Sequence, residues 1–227
     1  MKKYIVRTAA AFVFLTAAVP GITAQTAESV PDHKPSFFFT MGPLAIINTE
    51  SSTKSAPTPI VFSTGFGMKF LEDKMVAFEP RVSFFTNYYL WDGDNALPAE
   101  VENRTAIALS LLFDLPAVVT FHHGENTFEA GSGLGFLARY GILANGVSSS
   151  DTGASGSASG DVDKINDWFW SGARYVFPEL LGSWTYAVSS RLQAGFEGRV
   201  YFPLGSLMNG RGFDAMMFSL AARIQFK

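Results

Sequence analysis

The chain has 227 residues, with 17 basic and 20 acidic side chains, 22 phenylalanines and no cysteine. The acidic balance argues against a nucleic-acid partner, which calls for a basic patch, and the lack of cysteine excludes disulfides, acylated cysteine and thiolate metal sites. Only 16% of residues are charged, where a soluble domain carries about a quarter, so the phenylalanine excess must face something other than water.

Lys2, Lys3 and Arg7 precede the apolar run Ala9 to Val19, and Pro20 and Gly21 follow it. That is the order of a secretory signal, with cleavage expected after Ala24. The run is too short to cross a bilayer as a helix, and no later stretch reaches about 18 uninterrupted apolar residues. Loss of the leader leaves 14 basic against 20 acidic side chains. Residues 1–24 are read as signal peptide, 25–35 as a short periplasmic segment and 36–227 as the folded domain.

The clearest segment puts Ile60, Phe62, Thr64, Phe66, Met68 and Phe70 on one face, with Val61, Ser63, Gly65, Gly67 and Lys69 on the other. Alternation with period two is the signature of a strand. Eight segments alternate in this way: Ser36–Asn48, Ile60–Leu71, Met75–Leu90, Arg104–Thr120, Thr127–Leu143, Ala173–Ala187, Arg191–Leu204 and Asp214–Phe226. Each meets the roughly 9–11 tilted residues that cross a bilayer. Their connections alternate too. Glu72–Lys74, Phe121–Asn126 and Val188–Ser190 are tight, whereas Thr49–Pro59, Trp91–Asn103, Ala144–Gly172 and Gly205–Phe213 are longer and polar. Short turns on the periplasmic side and long loops outside are what bacterial barrels show. The predicted fold is all-β: an eight-stranded antiparallel transmembrane β-barrel, an up-and-down meander. Within the third loop, the Ser/Gly run Ser148–Gly160 reads as flexible and dispensable for stability.

The leader, the eight strands and the final strand Met216, Phe218, Leu220, Ala222, Ile224, Phe226 together resemble the small eight-stranded outer-membrane barrel superfamily, which includes the OmpA transmembrane domain, OmpX, OmpW and the opacity proteins. The resemblance covers Ser36 to Lys227 as a pattern. It implies residence in the bacterial outer membrane, contact with outer-membrane lipid, and recognition of the last strand by the barrel-assembly and periplasmic chaperone machinery. Members usually end on an aromatic residue; here Phe226 is followed by Lys227.

The two faces differ in chemistry. One carries Val76, Phe78, Val82, Phe84, Ile107, Leu109, Leu111, Phe113, Leu192, Ala194, Phe196, Val200 and Phe202, with no charge among them. A mid-bilayer lysine or arginine there costs about 2–4 kcal/mol. Phe70, Phe121, Phe128 and Phe226 map to the periplasmic rim and Tyr88, Trp91 and Tyr140 to the outer rim, as interface aromatics do. The opposite face holds Lys69, Glu79, Arg81, Asp114, Glu129, Arg139, Arg191, Glu197, Arg199 and Arg223, the predicted lumen ion network. Gly131, Gly133, Gly135 and Gly141 share that face and are expected to leave room for long arginines. An eight-stranded barrel is just wide enough for side chains to fill it. A salt-bridged plug and a gated polar path are the two readings; the width favours the plug. Most of these charges map to the lower half, so an apolar cavity above them, open sideways to the membrane, is a further expectation.

No catalytic, metal or cofactor site is predicted. The histidines are His33, ahead of the first strand, and the adjacent His122 and His123 in a tight turn, away from the outer leaflet where lipid-modifying chemistry needs a base. Gly131-Ser132-Gly133-Leu134-Gly135 alternates within a strand, whereas a phosphate loop opens a helix. Trp168-Phe169-Trp170 fits no strand and reads as an interfacial anchor, a loop helix or a lip over the lumen. Three functions stay open. The first is restricted permeability to small, including hydrophobic, solutes together with envelope integrity. The second is surface interaction or adhesion with an external ligand at the loops, and the third is a lipid-modifying enzyme.

Overall fold

The computed structural model describes residues 35–226 apart from 50–54, 57 and 73. The expected signal peptide, residues 25–34 with His33, and Lys227 lie outside the described residues.

Ten strands build the wall: β1 (Ser36–Ile46), β2 (Ile60–Lys69), β3 (Val76–Phe78), β4 (Arg81–Trp91), β5 (Ala96–Pro98), β6 (Ala106–His123), β7 (Asn126–Leu143), β8 (Val176–Ser189), β9 (Leu192–Tyr201) and β10 (Met217–Phe226). The ring runs β6-β7-β8-β9-β10-β1-β2-β4 and returns to β6, every pair antiparallel. β10 closes on β1 in a register from Phe37↔Phe226 to Ile46↔Met217. β3 prolongs β4 along β6 and meets the β2 side through a Phe70↔Phe78 bridge, so the barrel has eight staves.

The third predicted strand, Met75–Leu90, is therefore broken at Glu79–Pro80. Proline has no N–H for the ladder and sits at irregularities within sheets. The break keeps its neighbours bonded: the Glu79 N–H donates to the Pro116 carbonyl at 3.1 Å and the Met68 N–H to the Pro80 carbonyl at 3.0 Å. Between β6 and β7 the pairing is unbroken from Ala106↔Leu143 to His123↔Asn126. Gly131 and Gly133 serve that closeness rather than making room for arginines. A Cβ at these positions would lie 2.4 Å from the Ala117 carbonyl oxygen and 2.5 Å from the Pro116 Cα.

Side chains obey the alternation. Phe37, Phe39 and Met41 of β1, Phe62 and Phe66 of β2, Leu111 and Phe113 of β6 and Leu220 and Ile224 of β10 are exposed on the outer wall. A soluble monomer rarely exposes an apolar patch beyond a few hundred Å²; here the patch encircles the molecule. The interior is layered. Nearest the tight turns lies a charged layer, described below. Above it Leu44, Ile46, Phe85, Leu112, Leu137, Phe177, Tyr201 and Met217 form one buried apolar cluster. The expected upper cavity is thus filled.

A helix, α1 (Ala158–Trp170), caps the loop end. The Ser148–Gly160 run, expected to be a flexible loop, provides its start. Ser157 Oγ accepts the Gly160 N–H at 3.2 Å, an N-cap bond. Buried Asp161 accepts the Ala154 and Ser155 N–H groups at 3.1 and 2.8 Å and ties down the preceding turn. Val162, Ile165 and Phe169 then recur on one helical face and pack on Tyr89, Ala96, Ala106 and Ala108. β8 begins opposite Phe136, so the upper part of β7 lacks a strand on that side. Asn166 takes the vacant place, accepting the Gly141 N–H at 2.7 Å and donating to the Gly141 carbonyl at 3.0 Å. A Cβ at Gly141 would meet the Asn166 Oδ1 at 3.5 Å and the Ile165 Cγ2 at 3.6 Å, ordinary van der Waals contact.

Candidate functional site

The charged layer is one connected network. Glu197 of β9 receives three guanidiniums: Arg81 Nη1 at 2.7 Å, Arg199 Nε at 2.6 Å and Nη2 at 3.1 Å, and Arg223 Nη1 at 2.9 Å. Arg81 also donates from Nε to Asp114 at 2.8 Å and from Nη2 to the Tyr201 hydroxyl at 2.6 Å, and that hydroxyl donates on to Asp114. Arg223 grips Glu79 with two bonds of 2.8 and 2.9 Å and lies 4.0 Å over the ring of Phe38. Lys69 bonds Glu129 and lies 3.6 Å from Glu79. Ser183 donates to Glu129 at 2.7 Å. All of these charged groups are buried. Parity explains this: each sits on the inward beat of its strand, and in a barrel the inward beat has only other side chains to meet.

Two predicted members stand elsewhere. Arg191 belongs to the β8–β9 turn and is exposed, because β9 begins only at Leu192 although the alternation continues back to Arg191. Arg139 faces inward but above the network. Its Nη1 donates to the Tyr89 hydroxyl at 3.3 Å and its Nη2 to the Arg174 carbonyl at 3.0 Å, and no carboxylate among the described residues pairs with it. Sequence reasoning missed Glu179, which takes Arg199 Nη1 at 2.9 Å. The network therefore contains the four cations Lys69, Arg81, Arg199 and Arg223 against the five carboxylates Glu79, Asp114, Glu129, Glu179 and Glu197. Pro178 and Gly182, both on the outward beat of β8, hid the parity that would have revealed Glu179.

Phe70, Phe121, Phe128 and Phe226 are exposed on the outer wall toward the turn end, and Tyr140 toward the loop end. Tyr88 points outward, half-buried against Leu90, Leu97 and Ala99, with Arg104 5.2 Å over its ring. Trp91 turns inward and meets Trp168 of α1 edge-on at 6.2 Å. Trp168-Phe169-Trp170 thus ends a helix that lids the lumen.

The wall also has a seam between β2 and β4. β2 pairs with β4 only from Thr64↔Phe84 to Gly67↔Arg81. Higher up β5 takes the place beside β4, and a Ser55↔Ala99 bridge ties it to the segment before β2. Between these pairings lies a cavity of about 300 Å³ bordered by Ile60, Val61, Asn87, Tyr88, Val101 and Ile107. The Asn87 Nδ2 is buried there without a hydrogen-bond partner.

Among the described residues, no group of three or more His, Cys, Asp or Glu side chains is placed to hold a metal ion. No family profile and no curated protein matches the chain. Among solved structures it is similar to Neisserial surface protein A (NspA), at 13% identity and a TM-score of 0.48, over 86% of this chain and 99% of that one. It is also similar to Ail, the attachment invasion locus protein of Yersinia pestis, solved in complex with the heparin analogue sucrose octasulfate, at 7% identity and a TM-score of 0.36, again over 86% and 99%.

Proposed function

We propose that this chain is an integral barrel of the bacterial outer membrane whose lumen is closed and whose function lies at its loop end, in contacts with external ligands. The apolar wall supports the membrane assignment, since water around so much exposed phenylalanine and leucine costs about 25 cal/mol per Å². Contact with outer-membrane lipid, and insertion by the assembly machinery reading β10 up to Phe226, belong to the same proposal. The observation that carries the closed lumen is its filling by three successive layers: the ion network, the apolar cluster and α1. Surface interaction thereby moves ahead of solute permeation. Purified protein in planar bilayers should give no discrete conductance steps; resolved single-channel openings would overturn the closed lumen.

The seam favours a second reading, restricted entry of small apolar solutes from the side. The cavity between β2 and β4 joins outward Ile60 and Ile107 to Val61, which packs on the interior apolar cluster. Vesicles carrying the protein should then take up an apolar dye faster than empty vesicles, and Asn87→Trp should abolish the difference. Equal uptake by loaded and empty vesicles leaves the seam a structural feature only.

A further inference from the structure

At the loop end three arginines and two aromatic rings gather around a cavity whose wall carries one carboxylate, Asp214. Arg174, between α1 and β8, lies 3.5 Å from the ring centroid of Trp168, and Arg211 lies 4.7 Å from it. Arg139 lies 4.3 Å over the neighbouring ring of Phe169. With Tyr89, Trp168 and Asp214 these three arginines border a cavity of about 40 Å³, room for a few water-sized groups by the usual threshold of roughly 10–15 Å³ for one.

Charge and unmet hydrogen bonds point the same way. Arg139 is 8% exposed, and its Nε has no hydrogen-bond partner. Neither Arg139 nor Arg174 is in an ion pair among the described residues. Arg174 spends Nη1 on the carbonyl and hydroxyl of Ser171. Asp214 is the acid on the cavity wall, and its Oδ1 already accepts the N–H and the hydroxyl of Thr49 at 2.9 and 3.2 Å. Asp214 also acts on Arg174 and favours its charged form, so among the cavity arginines Arg139 is the one left without a carboxylate. Burial, and then the nearby Arg211 and Arg139, hold the Arg174 pKa below its ordinary value against the opposing pull of Asp214. A buried cation that meets no anion within the protein is costly, and a guanidinium fork matches the oxygens of phosphate or sulfate.

We infer that this cavity binds a phosphate or sulfate group carried by a water-borne solute that enters from the loop end, held by Arg139 and Arg174 beside Trp168. A water-borne solute, rather than a lipid headgroup, follows from the position. Tyr89, Arg139 and Phe177 face the interior of the ring, whereas lipid meets the outer wall. The inference rests on the preceding reading only in placing the loop end outside the cell.

The test is a titration of the detergent-solubilised mature chain with inorganic phosphate and with sulfate, at ionic strength held constant with chloride. Tryptophan fluorescence and calorimetry provide the readouts. Saturable binding is expected, weakened about tenfold by Arg174→Gln through the loss of one charge-assisted contact, and unchanged by Arg191→Gln in the distant turn. Arg139→Gln should weaken it at least as much; Arg174→Gln, on a half-buried side chain, decides the matter if Arg139→Gln fails to fold. A response that follows ionic strength alone, or that Arg174→Gln leaves intact, overturns the site. A response seen only in vesicles containing phosphatidylglycerol, and not with free anions, overturns the water-borne ligand. Conducting channels in planar bilayers would instead refute the closed lumen and leave this titration unaffected.

Discussion

Two glutamates in the same layer should respond very differently to the same substitution. Glu197 receives four donor contacts from three guanidiniums. Glu197→Gln keeps the shape but turns one oxygen into an amide donor. Its Oε1 faces Arg81 Nη1 and Arg199 Nε, and its Oε2 faces Arg199 Nη2 and Arg223 Nη1. Whichever oxygen is lost, two guanidinium N–H groups meet another donor, and three buried arginines lose a shared counter-charge. Breaking a buried pair from one side costs about 3–5 kcal/mol. Glu179, in contrast, accepts one arginine bond at 2.9 Å and leaves its Oε1 unpartnered. Glu179→Gln can keep the carbonyl on Arg199, and it brings the network to four cations against four carboxylates. Its effect should stay within about 1 kcal/mol, the net worth of a hydrogen bond.

Urea unfolding in lipid vesicles, followed by tryptophan fluorescence and by the mobility difference between folded and unfolded bands, separates the two variants. The midpoint of Glu197→Gln should fall well below the parent, with Glu179→Gln close to it. Equal midpoints for all three proteins would refute the reasoning, because charges that cost nothing to orphan are solvated, and a solvated lumen is open.

Phe169→Ala empties a site that is 1% exposed in the helix-capped layer, so a loss of about 3–5 kcal/mol is expected. Bilayer conductance should nevertheless stay silent, because the apolar cluster and the ion network still seal the barrel; a conducting variant would make α1 the sole gate. Deleting residues 148–160 removes the Ser157 cap and the first turn of α1. It should lower the unfolding midpoint and expose the remaining helix to protease, and an unchanged midpoint would mean that α1 docks without its start.

The barrel was legible because its two faces meet different surroundings, so every strand repeats the same choice between apolar and polar at period two. Lys69, Arg81, Asp114 and Arg223 declare themselves by interrupting an apolar alternation on one beat only. Legibility fails where that contrast fails. Pro178 and Gly182 weaken the outward beat of β8, and Glu179 vanished with it. The turn at Arg191 continues the period without continuing the strand. In α1 the helical spacing of Val162, Ile165 and Phe169 sits behind a Ser/Gly run whose composition is that of a linker. Its order comes from Asp161 bonding backwards to Ala154 and Ser155, a local contact that composition does not encode. The seam was invisible for a different reason. Pairing register is a relation between β2 and β4, and neither strand alone records where the ladder stops.

The vertical sorting of charge connects these pieces to function. In the lower layer five carboxylates enclose four cations, and their bonds cross the lumen from β9 to β4 and from β10 to Glu79 at the β3–β4 break, cross-linking staves that are not neighbours in the wall. Such a layer holds a barrel together while denying ions a free path, because each charge already has a partner that any passing ion must displace. Around the Trp168 cavity the balance reverses, with Arg139, Arg174 and Arg211 against Asp214. Arg139 and Arg174 stand among aromatic rings, where cation–π contacts supply about 0.5–2 kcal/mol each, less than the desolvation of a buried guanidinium. A layer that satisfies its charges, below a cavity where Arg139 has no carboxylate, is the arrangement expected if the proposed anion site lies above a closed lumen.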